Sequence, residues 1–114
     1  MTNELNALGV RDGDRVDAVQ IPAALTAALV RYQDGSTQTF SLDGTTRYIE
    51  PGQTTLGEWQ VDEQGRFCSF WPPSYRACYD LAWIVEVGLV VGLRFADVSG
   101  GPTFVGRYEH VSGS

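Results

Sequence analysis

Turn signals recur at short intervals along this chain, and that spacing is the tightest constraint on its fold. Asp12-Gly13, Asp34-Gly35, Asp43-Gly44, Glu63-Gln64-Gly65 and Ser99-Gly100-Gly101 punctuate short runs rich in Val, Thr, Tyr, Phe and Trp. Such pairs supply the positive φ values of tight hairpin loops, so each run folds back on the one before it as an antiparallel meander. Roughly seven or eight short strands then suit a small closed or half-closed barrel, or a strongly curved sheet. The expected fold class is all-β, in one domain spanning residues 1–114.

The register of each hairpin can be read from its loop. A two-residue loop at Asp34-Gly35 pairs Leu29 with Phe40 and Ala27 with Leu42 on one face, leaving Val30, Tyr32, Thr37 and Thr39 on the other. The hairpin over 57–70, with Glu63-Gln64 at its tip, sets Trp59 across from Cys68, so that the indole covers the sulfur. Pro72-Pro73 cannot continue a paired ladder, and residues 72–77 are expected to form a stiff loop before Tyr79 restarts the sheet. Residues 81–95 carry the strongest β signal. Leu81, Trp83, Val85, Val87, Leu89, Val91, Leu93 and Phe95 occupy alternate positions. Reversal through a Val87-Gly88-Leu89 loop pairs Val85 with Val91, Trp83 with Leu93 and Leu81 with Phe95. A last strand runs from Thr103 to His110. Pro22 marks a short helix or turn near 22–25, and residues 2–8 offer a second, weaker helix.

Composition narrows the partners. The net charge is −6, and the eight basic residues are scattered without forming a stripe, which disfavours a phosphate backbone. No run reaches the length of a transmembrane helix, and the acidic start Met1-Thr2-Asn3-Glu4 is unlike a signal peptide. Read as written, the chain is cytoplasmic; with a leader already removed it is periplasmic or secreted. A soluble protein acting on a small molecule, or pairing with itself or another protein, fits this balance.

Chemistry is sparse. Cys68 and Cys78 have nine residues between them. They are either a disulfide closing a short loop or two small buried thiols. With His110 as the one histidine, no metal set is expected, and no cofactor fingerprint appears. A Cys–His nucleophile pair is open on paper, but the cysteines read better as structural. Glu86 and Arg94 share the less apolar face of the 81–95 hairpin. If that face lines a cavity, Glu86 serves as a raised-pKa base and Arg94 as an anion clamp; otherwise they are a solvated pair. The loop Phe70-Trp71-Pro72-Pro73-Ser74-Tyr75-Arg76 is the better candidate, because stiff prolines present Trp71, Tyr75 and Arg76 at little entropic cost. Tyr32, Tyr48, Tyr79 and Tyr108 lie on different strands, where each either points into a cavity as a donor or packs at the sheet boundary. Asp80 and Asp97 read as solubilising strand ends.

The order Gly57-x-Trp59, Gly65-Arg66-x-Cys68, Cys78-Tyr79 resembles that of small, uncharacterised bacterial β-sheet proteins, many of them exported. The resemblance spans about 25 residues and implies a β-sheet fold with a paired Cys68 and Cys78. No chemistry comes with it. A looser likeness to lipocalin-type barrels follows from fold class alone. The leading expectation is small-molecule binding by a compact β-barrel through Trp71, Tyr75, Arg76 and Arg94. The alternatives are a cofactor-independent isomerase, cyclase or lyase using Glu86, and a homo-oligomeric interaction domain.

Overall fold

The computed structural model describes residues 8–109; the helix expected over 2–8, apart from Leu8, and His110 lie outside them. A 3-10 turn at Ala18–Gln20 leads into α1 (Ile21–Thr26), with Pro22 in its first turn. The strands follow as β1 (Leu29–Tyr32), β2 (Thr37–Phe40), β3 (Thr45–Glu50), β4 (Gln53–Val61), β5 (Phe67–Trp71), β6 (Tyr75–Glu86), β7 (Leu89–Asp97) and β8 (Thr103–Glu109). Each pairs antiparallel with the next. β8 closes on β1 from Leu29↔Glu109 to Tyr32↔Gly106, so the meander is a closed eight-stranded barrel. Closure leaves no long open sheet edge, which a half-barrel of such short strands would expose.

Three hairpins share one loop design, and it shifts the expected registers. At Gln33-Asp34-Gly35, Leu42-Asp43-Gly44 and Glu63-Gln64-Gly65 the loop has three residues, with glycine at φ +90°, +92° and +78° respectively. A type I turn followed by a left-handed glycine adds one residue to the two-residue loop of the sequence reading. Val30 therefore pairs with Gln38 and Arg31 with Thr37, in place of Leu29 with Phe40. Val30, Tyr32, Gln38 and Phe40 turn inward, while Leu42 sits 74% exposed in the next loop. The β4–β5 hairpin shifts likewise: Trp59 pairs with Ser69, and Cys68 faces Gln60 on the outer wall. Trp59 is buried, and its Nε1 donates to the Ser41 carbonyl at 3.0 Å.

The proline loop is shorter than expected. Only Pro72, Pro73 and Ser74 lie between Trp71 and Tyr75, which pair directly, and β6 already includes Tyr75, Arg76 and Ala77. In the β6–β7 hairpin the pairs Leu81↔Phe95 and Trp83↔Leu93 form as read, but Val85 pairs with Val90 across a bulge rather than with Val91. The turn is the two residues Val87-Gly88, both at positive φ (+52° and +75°). The bulge absorbs the odd residue that a three-residue loop would have supplied. Val87, expected on the apolar face, is 98% exposed at this tip.

One end of the barrel is plugged. Beyond Tyr79 the edge of β6 has no β5 partner, and residues 12–16 fill the gap: Val16 N donates to Leu81 O, Trp83 N to Asp14 O, and Gly13 N to Trp83 O. From there the chain enters α1 across the barrel end. Val16, Ile21, Ala24 and Leu25 join Val30, Leu81, Trp83 and Leu93 in one buried cluster. The Tyr108 hydroxyl donates to the Ala24 carbonyl, tying the plug to β8. Among the described residues no helix is long and apolar enough to cross a membrane.

Candidate functional site

Tyr32 leaves β1 at the end opposite the plug, and there the barrel interior opens into a cavity of about 530 Å³. Alternation along each strand decides what lines it. The inward positions are Tyr32 of β1, Gln38 of β2, Tyr48 of β3 and Thr55 of β4, followed by Phe67, Ser69 and Trp71 of β5, Tyr79 of β6, Phe95 of β7 and Phe104 of β8. Gln33 and Asp34 complete the rim. Phe67, Tyr79 and Phe95 form a buried floor, with Tyr32, Tyr48, Trp71 and Phe104 half-buried above it. The rings touch in sequence, from Trp71 to Tyr48 (centroids 6.2 Å apart), Tyr48 to Tyr32 (6.2 Å), Tyr32 to Phe104 (5.5 Å) and Phe104 to Tyr79 (5.5 Å).

Two glycines make room for this lining. A Cβ on Gly57 would stand 2.5 Å from Cε3 of Trp71, so the indole lies across bare β4 backbone. A Cβ on Gly106 would meet the Val30 side chain and come within 3.0 Å of the Tyr32 ring. Neither glycine has positive φ, so close approach is the reason for each.

Two hydrogen-bond chains run from the cavity wall to fixed acceptors. Thr46 Oγ1 donates to the Thr39 carbonyl (2.8 Å), so it accepts from Gln38 Nε2 (2.7 Å); this turns Gln38 Oε1 toward Tyr32, whose hydroxyl donates to it (2.6 Å). In the second chain Ser36 Oγ donates to Asp34 Oδ1. Its only proton is spent there, so Tyr48 is the donor in the 2.8 Å contact between Tyr48 and Ser36 Oγ. Bonds from the Ser36 hydroxyl and amide hold the Asp34 carboxyl below its ordinary pKa.

Burial, reinforced by neighbouring Tyr48, Tyr79 and Asp34, raises the Tyr32 phenol well above the ordinary range. Burial lifts Tyr79 to about 12 and also raises Tyr108. A folded pKa above the unfolded value of 10.0 means that stability is complete below that pH. It is lost as pH rises through the folded values, because only the unfolded chain ionises readily. An alkaline absorbance titration should therefore leave Tyr32, Tyr79 and Tyr108 protonated past pH 10, with their ionisation coinciding with loss of the near-UV CD signal. Ionisation of Tyr32, Tyr79 and Tyr108 with a midpoint at about pH 10 in a still-folded protein would show these phenols to be hydrated.

The sequence-derived site is divided by the barrel wall. Trp71 lines the cavity, and Tyr75 shares its face at the rim, 59% exposed. Arg76 pairs with Phe70 on the outer wall and lies over that ring, 4.6 Å from its centroid. Strand alternation thus separates it from the two aromatics it was expected to join. Arg94 pairs with Ala82 on the outside, in a shallow depression with Arg15 and Asp80. Glu86 does not neighbour Arg94. It is exposed and paired with Arg107 (2.8 Å), whose hydrogen bonds lower its pKa. The raised-pKa cavity base read from the sequence is therefore absent at this position. Asp80 pairs with Arg15, and Asp97 accepts from the amide and hydroxyl of Ser99 at the end of β7.

Cys68 and Cys78 pair across β5 and β6 and form a disulfide on the outer wall. Asp62 lies beside them, but a disulfide sulfur is not the thiolate that metals require, so this trio is no metal site in the oxidised protein. The lining residues Gln38, Ser69, Phe67, Phe95 and Phe104 escaped the sequence reading. Their common signal was inward parity, which depends on register. No protein-family model, curated protein or solved structure matches this chain.

Proposed function

We propose that the protein binds a small, largely apolar molecule in the open end of its barrel. The observation that carries this reading is the cavity: about 530 Å³, floored and walled by aromatic rings, with a few oriented polar groups. That size and lining are typical of small-molecule sites. Trp71 and Tyr75 remain in the proposed site, Arg76 and Arg94 leave it, and Tyr32, Gln38, Tyr48 and Tyr79 enter. This use of a barrel mouth is the one lipocalin-type proteins make of theirs. The disulfide favours an oxidising compartment, so the site is proposed to work outside the cytosol.

The test is fluorescence titration with N-phenyl-1-naphthylamine, a neutral probe that brightens in apolar cavities. Saturable, blue-shifted enhancement is expected, weakened roughly tenfold or more in Trp71→Ala, or about 1.4 kcal/mol of binding free energy. Absence of saturable enhancement with the folded wild-type protein would overturn the reading.

A further inference from the structure

Building on that reading, we infer that the natural ligand presents a positively charged group, a tertiary or quaternary ammonium, to the aromatic wall of the cavity. Three independent features agree.

The first is the direction of the hydrogen bonds. The Tyr32 and Tyr48 protons are committed to Gln38 and Ser36, and each commitment traces back to an acceptor that cannot reverse, the Thr39 carbonyl or the Asp34 carboxylate. Both phenol oxygens therefore offer lone pairs, not protons, to whatever occupies the site. The second is the ring surface. Tyr32, Tyr48, Trp71 and Phe104 stand around the cavity with neighbouring centroids 5.5–6.2 Å apart, and the negative faces of aromatic rings attract a cation that has left water. The third is charge. Among the described residues Asp34 is the charged one in the lining, and no arginine lines the cavity. Arg31, Arg66 and Arg107 are engaged by Glu109, Asp62 and Glu86, and Arg76 lies over Phe70 on the outer wall. The Thr55 and Ser69 hydroxyls are neutral and donate or accept as required. An anionic ligand would meet a carboxylate at the rim and two phenol lone pairs with no compensating cation. An ammonium finds complementary partners at each of these places.

The experiment is competition against bound N-phenyl-1-naphthylamine using benzyltrimethylammonium, its neutral carbon isostere neopentylbenzene, and phenylacetate. The cation should displace the probe at a concentration roughly tenfold or more below the isostere, with phenylacetate weakest. Asp34→Asn, which removes the rim charge at nearly constant size, should shrink the ratio of cation to isostere affinity about threefold or more. If the probe binds but the isostere or phenylacetate equals or outcompetes the cation, the charge inference is overturned and the apolar site stands. If the probe itself does not bind, both fall together.

Discussion

Trp83→Ala should lower the free energy of unfolding by about 3–5 kcal/mol in urea denaturation, with little change in the slope against denaturant. Trp83 is fully buried, pairs with Leu93, and is the largest of the fully buried side chains. It holds the junction where residues 12–16 pair with β6 and α1 covers the barrel end. Truncation leaves a void that the surrounding closed sheet can only partly fill, because each barrel strand is held by a neighbour on either side. Against a typical total of about 5–15 kcal/mol, that loss brings the folded state close to failure. Trp83→Phe should cost far less, below about 2 kcal/mol: among the described residues the indole Nε1 has no hydrogen-bond partner, so the change sacrifices no bond made within them. A loss below about 1 kcal/mol for Trp83→Ala would mean that the plugged end is not packed as described.

Removing the Cys68–Cys78 bridge, by reduction or by a double Cys→Ser substitution, should lower stability by about 2–3 kcal/mol, the loop-entropy value for so short a closed segment. The bridge joins directly opposed residues of β5 and β6. The inward neighbours on those strands, Ser69, Trp71 and Tyr79, form one side of the cavity. Reduction should therefore weaken N-phenyl-1-naphthylamine binding while the far-UV CD spectrum stays β-like. Equal midpoints in urea with and without reductant would show that the ladder of backbone hydrogen bonds alone sets the β5–β6 register.

Much of the architecture was legible one residue at a time. Asp-Gly and Gly-Gly pairs, β-branched and aromatic runs and Pro22 act through local backbone preference. They were enough to place most of the strands and turns, though not the β3–β4 turn at Pro51-Gly52, together with the short helix and the Leu81↔Phe95 and Trp83↔Leu93 pairs. Register was the weak link. A Gly35 or Gly65 at positive φ suits a two-residue loop and a three-residue loop alike, and the one-residue difference reverses the face of every side chain beyond it. That single ambiguity put Trp59 over Cys68 and placed Val30 and Tyr32 on the wrong face.

The candidate site depended on the same decision. Trp71 and the dispersed tyrosines could be singled out as chemical groups, but nothing local distinguishes the inner wall from the outer one. Arg76 neighbours Tyr75 in sequence yet stands on the opposite side of the sheet, and Glu86 finds Arg107, twenty-one positions away, rather than Arg94. Local conformational preference made this chain a β meander. The pairing of β1 with β8 then created an inside, and only that closure determined which aromatics line the cavity and which charges remain in water.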